Sequence, residues 1–200
     1  SRTAEGEAFL RNAEKILADV SNAEFEMNEL KELSTGEVRI GIPPMMSSYY
    51  FPKVIRDFRV EYPNLQTTVM AEVTGQIQRQ ISSGEIDLGV ITGSKIPEGL
   101  TSKCFLREEV VACVPIDHTF AERPSISLEE LLSEPLILFR QGYYMREFTD
   151  SLQSDDSNKP QVVFETNLFS LVRSLVREGV GVSTLLRMVV TDEPKIAAVP

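Results

Sequence analysis

The sequence predicts an α/β protein made of two similar units preceded by a long helix. Three observations predict it. Ala4 to Leu33 contains no proline and has Gly6 as its only glycine. From Glu37 onward, short β-rich runs alternate with amphipathic segments, and the alternation starts again after the very apolar run Val110 to Val114. Strands alternating with helices imply parallel pairing with right-handed crossovers. In open sheets of that kind ligands bind beyond the carboxyl ends of the strands.

Composition sets the outer bounds. With 42% hydrophobic and 25% charged residues among 200, the chain has ordinary globular composition, enough for one large core or two small ones. No apolar run reaches the roughly 20 residues of a membrane helix. The opening SRTAEGEAFL lacks the basic start and apolar core of a signal peptide, so the expected location is the cytoplasm. A net charge of -10 argues against this piece gripping nucleic acid by itself, because phosphate binding relies on Lys and Arg displacing counterions. Cys104, Cys113 and His118 are too few soft ligands for a usual zinc site, and neither metal nor cofactor is expected. Both cysteines read as small apolar residues in strands.

In the first segment, Phe9, Ala13, Ile16, Val20, Ala23, Met27 and Leu30 recur at alternating spacings of four and three. That is the seam of a coiled coil rather than the wider stripe of a helix lying on a globular core. A helix of about 30 residues would run roughly 45 Å, longer than a small domain requires. It is expected to meet another copy of itself; the alternative is a single amphipathic helix folded back on its own domain. Ser34-Thr35-Gly36 ends it and acts as a linker.

Glu37 to Ser48 (EVRIGIPPMMSS) reads as a buried strand, a Pro43-Pro44 break, and Ser47-Ser48 at the mouth of a new helix. First-turn amides without intrahelical partners make such a place a ready anion site. Residues 48 to 62 carry Phe51, Ile55, Phe58 and Tyr62 at helical spacing, stopped by Pro63-Asn64. Gln66 to Val73 is a strand and Gly75 to Ser83 a helix with Ile77 and Ile81 inward; Gly84 turns the chain into a third strand, Ile86 to Ile91. Leu100 to Leu106 and Glu109 to Pro115 read as two more strands. A second unit follows. Ser127 with Glu130 forms a capping box for a helix to Leu132, and Leu136 to Phe139 is a strand. Tyr143 to Leu152 is a helix, Gln153 to Pro160 a polar loop, Gln161 to Glu165 a strand and Leu168 to Glu178 a helix closed by Gly179-Val180-Gly181. Lys195 to Pro200 starts another strand, from which the first unit is expected to lack its final elements.

The order and spacing of several stretches carry a family resemblance. They are Thr3 to Leu10 at the helix start, Gly36 to Ile42, Tyr62-Pro63, Gly84-Glu85-Ile86-Asp87-Leu88-Gly89, Pro115 with His118, Leu128 to Leu132, and Leu175 to Gly181. Together they resemble the effector-binding part of a LysR-type transcriptional regulator with its linker helix. The resemblance implies a two-lobed fold similar to type 2 periplasmic binding proteins, a ligand cleft between the lobes, and dimers through the linker helices that commonly pair into tetramers. On that reading residues 1–34 are the dimerisation helix, 35–108 the first lobe, 109–115 a crossover strand, 116–195 the second lobe and 196–200 the start of a return crossover. The family's winged helix-turn-helix has no counterpart in these residues, so operator DNA is expected to be reached only through such an N-terminal domain. Peroxide-sensing members carry a reactive cysteine in the segment matching Gly142 to Arg146. Here that segment has none, which argues against a thiol switch.

Site residues follow from topology and resemblance together. Ser47 and Ser48 match positions that hold the effector and suit a carboxylate, although serine is also a common helix cap. Met46, like Met45, reads equally as packing or as pocket lining. Thr92 and Gly93 follow the third strand. In the second unit Arg140, Gln141 and Tyr143 follow its first strand; Arg140 and Arg146 offer charge-assisted bonds to an anion, with a surface ion pair the favoured reading for Arg146. Thr166 and Asn167 read as N-caps or ligand contacts, and Gly181 lies where family backbone approaches the ligand. Asp87 reads as scaffold and His118 as a surface or capping residue. The implied function is a sensor of a small metabolite, an organic acid or other small anion, for a transcriptional regulator. The alternative is a solute-binding protein of a transport system. No nucleophile with its base, metal cluster or phosphate loop points to an enzyme.

Overall fold

Val38, Ile40 and Ile42, alternating with Arg39 and Gly41, fold as β1 (Gly36–Ile42). β1 is the middle strand of a parallel sheet ordered β2-β1-β3, with β2 at Leu65–Ala71 and β3 at Leu88–Gly89. The computed structural model describes residues 3–29, 36–92, 96–152 and 160–200. Two compact units are seen, one of residues 1–43 and 51–101, the other of residues 44–50 and 102–200.

In the first unit, Ile40 of β1 lies opposite Val69 of β2 and Leu88 of β3. Helix α1 (Ala4–Glu29) precedes the sheet; α3 (Phe51–Glu61) and α4 (Thr74–Ser82) follow β1 and β2. The close fit of α4 on the sheet depends on two glycines. A Cβ on Gly89 would come within 2.5 Å of the Ile77 Cγ2, and one on Gly41 within 2.8 Å of the Ile86 Cδ1. Ile77 and Ile86 are thereby fully buried. Gly84 makes the turn after α4 with φ of 74°, a region that costs glycine no Cβ clash. Asp87 then ties the sheet together, accepting the Arg39 amide at 2.7 Å and the Arg39 Nη2 at 2.9 Å. Burial pushes the Asp87 carboxyl upward, but the hydrogen bonds from Arg39 outweigh it and hold the group below the usual carboxylate range. The scaffold role read from the sequence is thus occupied by a defined ion pair.

The second unit begins with α2 (Pro44–Tyr49) and resumes at β4 (Val110–Pro115). β4 is apolar throughout because it is the middle strand of the sheet β7-β4-β8, with β7 at Ser183–Leu186 and β8 at Ile196–Val199. Cys113 on β4 is fully buried, and burial pushes its thiol up to about 12, so it stays protonated and inert. β5 (Leu136–Phe139) and β6 (Val162–Thr166) form a parallel pair, which a bridge from Leu136 to Val182 joins to the segment entering β7. The core gathers Val114, Leu131, Leu136, Leu138, Val182 and Val199. Helices α5 (Leu128–Ser133), α6 (Tyr144–Ser151) and α7 (Phe169–Arg177) and a 3₁₀ turn, Arg187–Val189, complete the unit. The capping box at α5 is present in both directions, the Ser127 amide donating to Glu130 and the Glu130 amide to the Ser127 Oγ. Bonds from the Arg123 guanidinium and the Ser127 amide pull the Glu130 carboxyl down to about 2.

Several expectations are corrected. Residues 48–62 form two helices rather than one. α2 starts at Pro44, whose fixed φ suits a first helical turn, and Pro52 prevents α2 from running on into α3 because it supplies no amide. Ser47 and Ser48 therefore lie inside α2 and not at its mouth. Leu100 to Leu106 is not a strand, since no strand among the described residues pairs with it. Cys104 is accordingly exposed rather than packed in a sheet. The third strand shortens to Leu88–Gly89. Among the described residues the parallel ladders are those of β1 and β5, whereas β4 runs antiparallel to both β7 and β8, and β7 has no counterpart in the sequence reading. The linker Ser34-Thr35, Leu30, Gly93 and most of the polar loop (153–159) lie outside the described residues, as does the side chain of Met27.

Candidate functional site

The carboxyl ends of the parallel strands β5 and β6 are Phe139 and Thr166. The loops that leave them are tied to each other, the Arg140 amide donating to the Thr166 carbonyl at 3.1 Å. Gly142, with φ of 88°, turns the chain so that the Tyr143 ring stacks on Phe139 at 6.2 Å between centroids. Gln141 donates to Asp150 at 3.0 Å, and the same carboxylate takes the Arg146 Nε at 2.8 Å. Arg146 also donates to the Phe139 carbonyl at 3.2 Å and pairs with Glu165. Burial lowers its pKa, but Asp150 and Glu165 more than compensate and keep it cationic. Arg146 is thus the ion-pair residue the sequence reading favoured, and it braces the loop that carries Arg140, Gln141 and Tyr143. Arg140 itself is exposed. The Thr166 hydroxyl, buried, accepts the Leu168 amide at 3.2 Å, which leaves Asn167 exposed at the start of α7.

α2 brings Met46, Ser47 and Ser48 into this same unit. Met46 is buried, the Ser47 Oγ donates to the Pro44 carbonyl at 2.8 Å, and Ser48 is exposed. At the end of α2 stands Tyr49, which sequence reasoning did not single out. Its ring meets Phe169 of α7 edge-on at 5.9 Å, and its hydroxyl accepts from the Arg173 guanidinium. Glu193 approaches the Arg173 Nε at 4.0 Å. The signal for Arg173 was in the sequence: it falls on the stripe Phe169, Val172, Val176, and a cation inside an apolar stripe needs a partner.

Two candidates stand apart. Thr92 belongs to the first unit, where its amide and hydroxyl meet the Thr74 Oγ1 at 3.4 and 3.1 Å. Gly181 is buried, and a Cβ there would lie 2.5 Å from the Pro135 carbonyl oxygen, so packing alone demands glycine. On α1, Phe9, Ile16 and Val20 are 76%, 62% and 52% exposed, Ala13 is half-buried and Ala23 exposed. Among the described residues no three His, Cys, Asp or Glu side chains gather as a metal site, and no helix is long and apolar enough to cross a membrane.

Two α/β units of this construction define the class, the type 2 periplasmic-binding-like fold of regulatory domains. HinK of Pseudomonas aeruginosa, a LysR family transcriptional regulator, shares it at a TM-score of 0.70 and 24% identity, over 98% of this chain and 68% of that one. The regulatory domain of CcmR from Synechocystis PCC6803, solved in complex with 2-PG, shares it at 0.73 and 20% identity, over 82% of this chain and 80% of that one. The family model for the LysR substrate binding domain matches residues 31–200, and the chain belongs to that family. It is the effector-binding domain of a LysR-type regulator, not an enzyme. YwbI of Bacillus subtilis (strain 168), an uncharacterized HTH-type transcriptional regulator, is 28% identical over 178 residues, 87% of this chain and 58% of that protein. The chain spans about three-fifths of the length of the curated relatives it matches.

Proposed function

We propose that this domain binds a small organic acid or another small anion and passes the event to DNA-binding domains carried by the whole regulator, in the cytoplasm. The observation that carries this reading is the rim of the second unit. Exposed Arg140 and Asn167 stand on loops braced by Arg146, in one compact unit with Ser47 and Ser48. Gln141, Tyr143, Thr166 and Met46, all in that unit, complete the proposed contacts there. The 2-PG bound by the CcmR regulatory domain supports a ligand for the shared fold. Driving a two-state regulator from about 1:99 to about 99:1 takes a ligand preference of ~5.5 kcal/mol. Isothermal titration against a panel of organic acids and amino acids is expected to give saturable heat with at least one acid. A flat response across the panel retires the sensing role and leaves the fold assignment intact.

The regulator works as a homodimer or tetramer in this reading, joined along Phe9, Ala13, Ile16, Val20, Ala23, Met27 and Leu30. The support is the exposure of Phe9, Ile16 and Val20, apolar side chains at seam spacing with water on them. Ile16→Asp combined with Val20→Asp is expected to yield monomers in analytical ultracentrifugation. A dimer that persists at low concentration would place the main contact elsewhere.

A further inference from the structure

We propose that Arg173 is the cation that receives the effector's carboxylate, at the place where the Tyr49 hydroxyl now sits; this rests on the reading of the second unit as an anion site. Among the described arginines of that unit, Arg123, Arg146, Arg177 and Arg187 each hold a carboxylate at hydrogen-bond distance, 2.6, 2.8, 3.2 and 2.7 Å. Arg107 and Arg140 are exposed, where water weakens any ion pair. Arg173 differs from all of these. It is half-buried, and its nearest carboxylate among the described residues, Glu193, stays at 4.0 Å. Its Nε is buried without a hydrogen-bond partner. What its Nη1 holds is a hydroxyl, that of Tyr49.

A guanidinium pairs with a carboxylate through two parallel bonds to an opposite charge, whereas the Tyr49 hydroxyl offers its fork one oxygen. A carboxylate therefore displaces the Tyr49 hydroxyl. Glu193 lies on the Nε side and repels an anion there, so the carboxylate takes the Nη1 side, where the Tyr49 hydroxyl is the group to be displaced. The surroundings define the rest of the ligand. The Arg173 guanidinium carbon lies 5.9 Å from the Tyr49 ring centroid, and Phe169 stands edge-on to that ring. Ser47 and Ser48 precede Tyr49 on α2, and Asn167 leads into the helix of Arg173. The ligand class is a carboxylate with a flat apolar body and polar edges.

The test is a titration of the 15N-labelled chain with benzoate, a carboxylate carrying an aromatic face, and with benzamide, its neutral counterpart. The Arg173 Nε–H resonance, assigned by its loss in Arg173→Lys, is expected to shift saturably with benzoate and to stay with benzamide. Arg173→Lys keeps the charge but loses the fork, and is expected to raise the benzoate Kd by about tenfold. Tyr49→Phe keeps the ring and removes the competing hydroxyl; it is expected to lower the Kd by about threefold, a direction no purely structural role predicts. If benzoate moves the Ser47, Ser48 and Asn167 amides while the Arg173 resonance stays, or if Arg173→Lys leaves the Kd unchanged, the Arg173 assignment is wrong and the anion site stands. A weakened Tyr49→Phe makes the hydroxyl a ligand contact and ends the displacement. No saturable shift at any of these groups overturns the anion site and the Arg173 assignment together.

Discussion

Ile77→Ala is expected to destabilise the first unit by about 2–5 kcal/mol, the usual range for deleting a buried isoleucine. Ile77 is fully buried, and its methyl groups fill the space left by Gly41 and Gly89 beneath α4. The backbone on both sides is held by the β1 ladders, so the hole cannot collapse cheaply. Such a loss is a large fraction of the 5–15 kcal/mol that ordinary proteins have in hand. Hydrogen exchange locates it. The Ile40 and Ile42 amides of β1 are expected to exchange faster, while those of β5 keep their protection. Equal acceleration in β5 would mean that the two units unfold as one cooperative block.

Gly181→Ala is expected to cost about 1–3 kcal/mol by overpacking. The new methyl group meets the Pro135 carbonyl, a backbone atom that also accepts the Val182 amide at 2.8 Å and has no free direction in which to retreat. The same shift strains the Ile137 amide bond to the Val182 carbonyl, also 2.8 Å, which joins β5 to the segment entering β7. A urea melt of the variant reads the effect as a lower midpoint with an unchanged slope. An unaltered midpoint would return Gly181 to a role confined to ligand contact.

The elements that were legible in the sequence share one property: their signal is local. The four-three seam placed α1, and alternation around Ile40 placed β1. The Ser127–Glu130 spacing placed the start of α5. Each rests on residues within a few positions of one another, where period and capping chemistry act directly. The proline break at Pro43-Pro44 misled for a related reason. Pro44 is as good a first helical residue as it is a breaker, and local reading cannot tell which role a second proline at Pro52 leaves to it.

What the sequence by itself determined is therefore the α/β class, the long first helix, the two rounds of strand and helix, and through their order the family. What only the tertiary structure decided is pairing across distance. β4 found antiparallel partners in β7 and β8, more than sixty positions further on, because a strand that apolar must be covered on both edges and both faces. Gly181 became a packing glycine when the chain folded it against Pro135. Arg173 acquired Tyr49, 124 residues away in sequence, as the partner its place in an apolar stripe required. Periodicity records which face of an element is buried; it carries no record of what that face meets, because the meeting is chosen by the whole core at once.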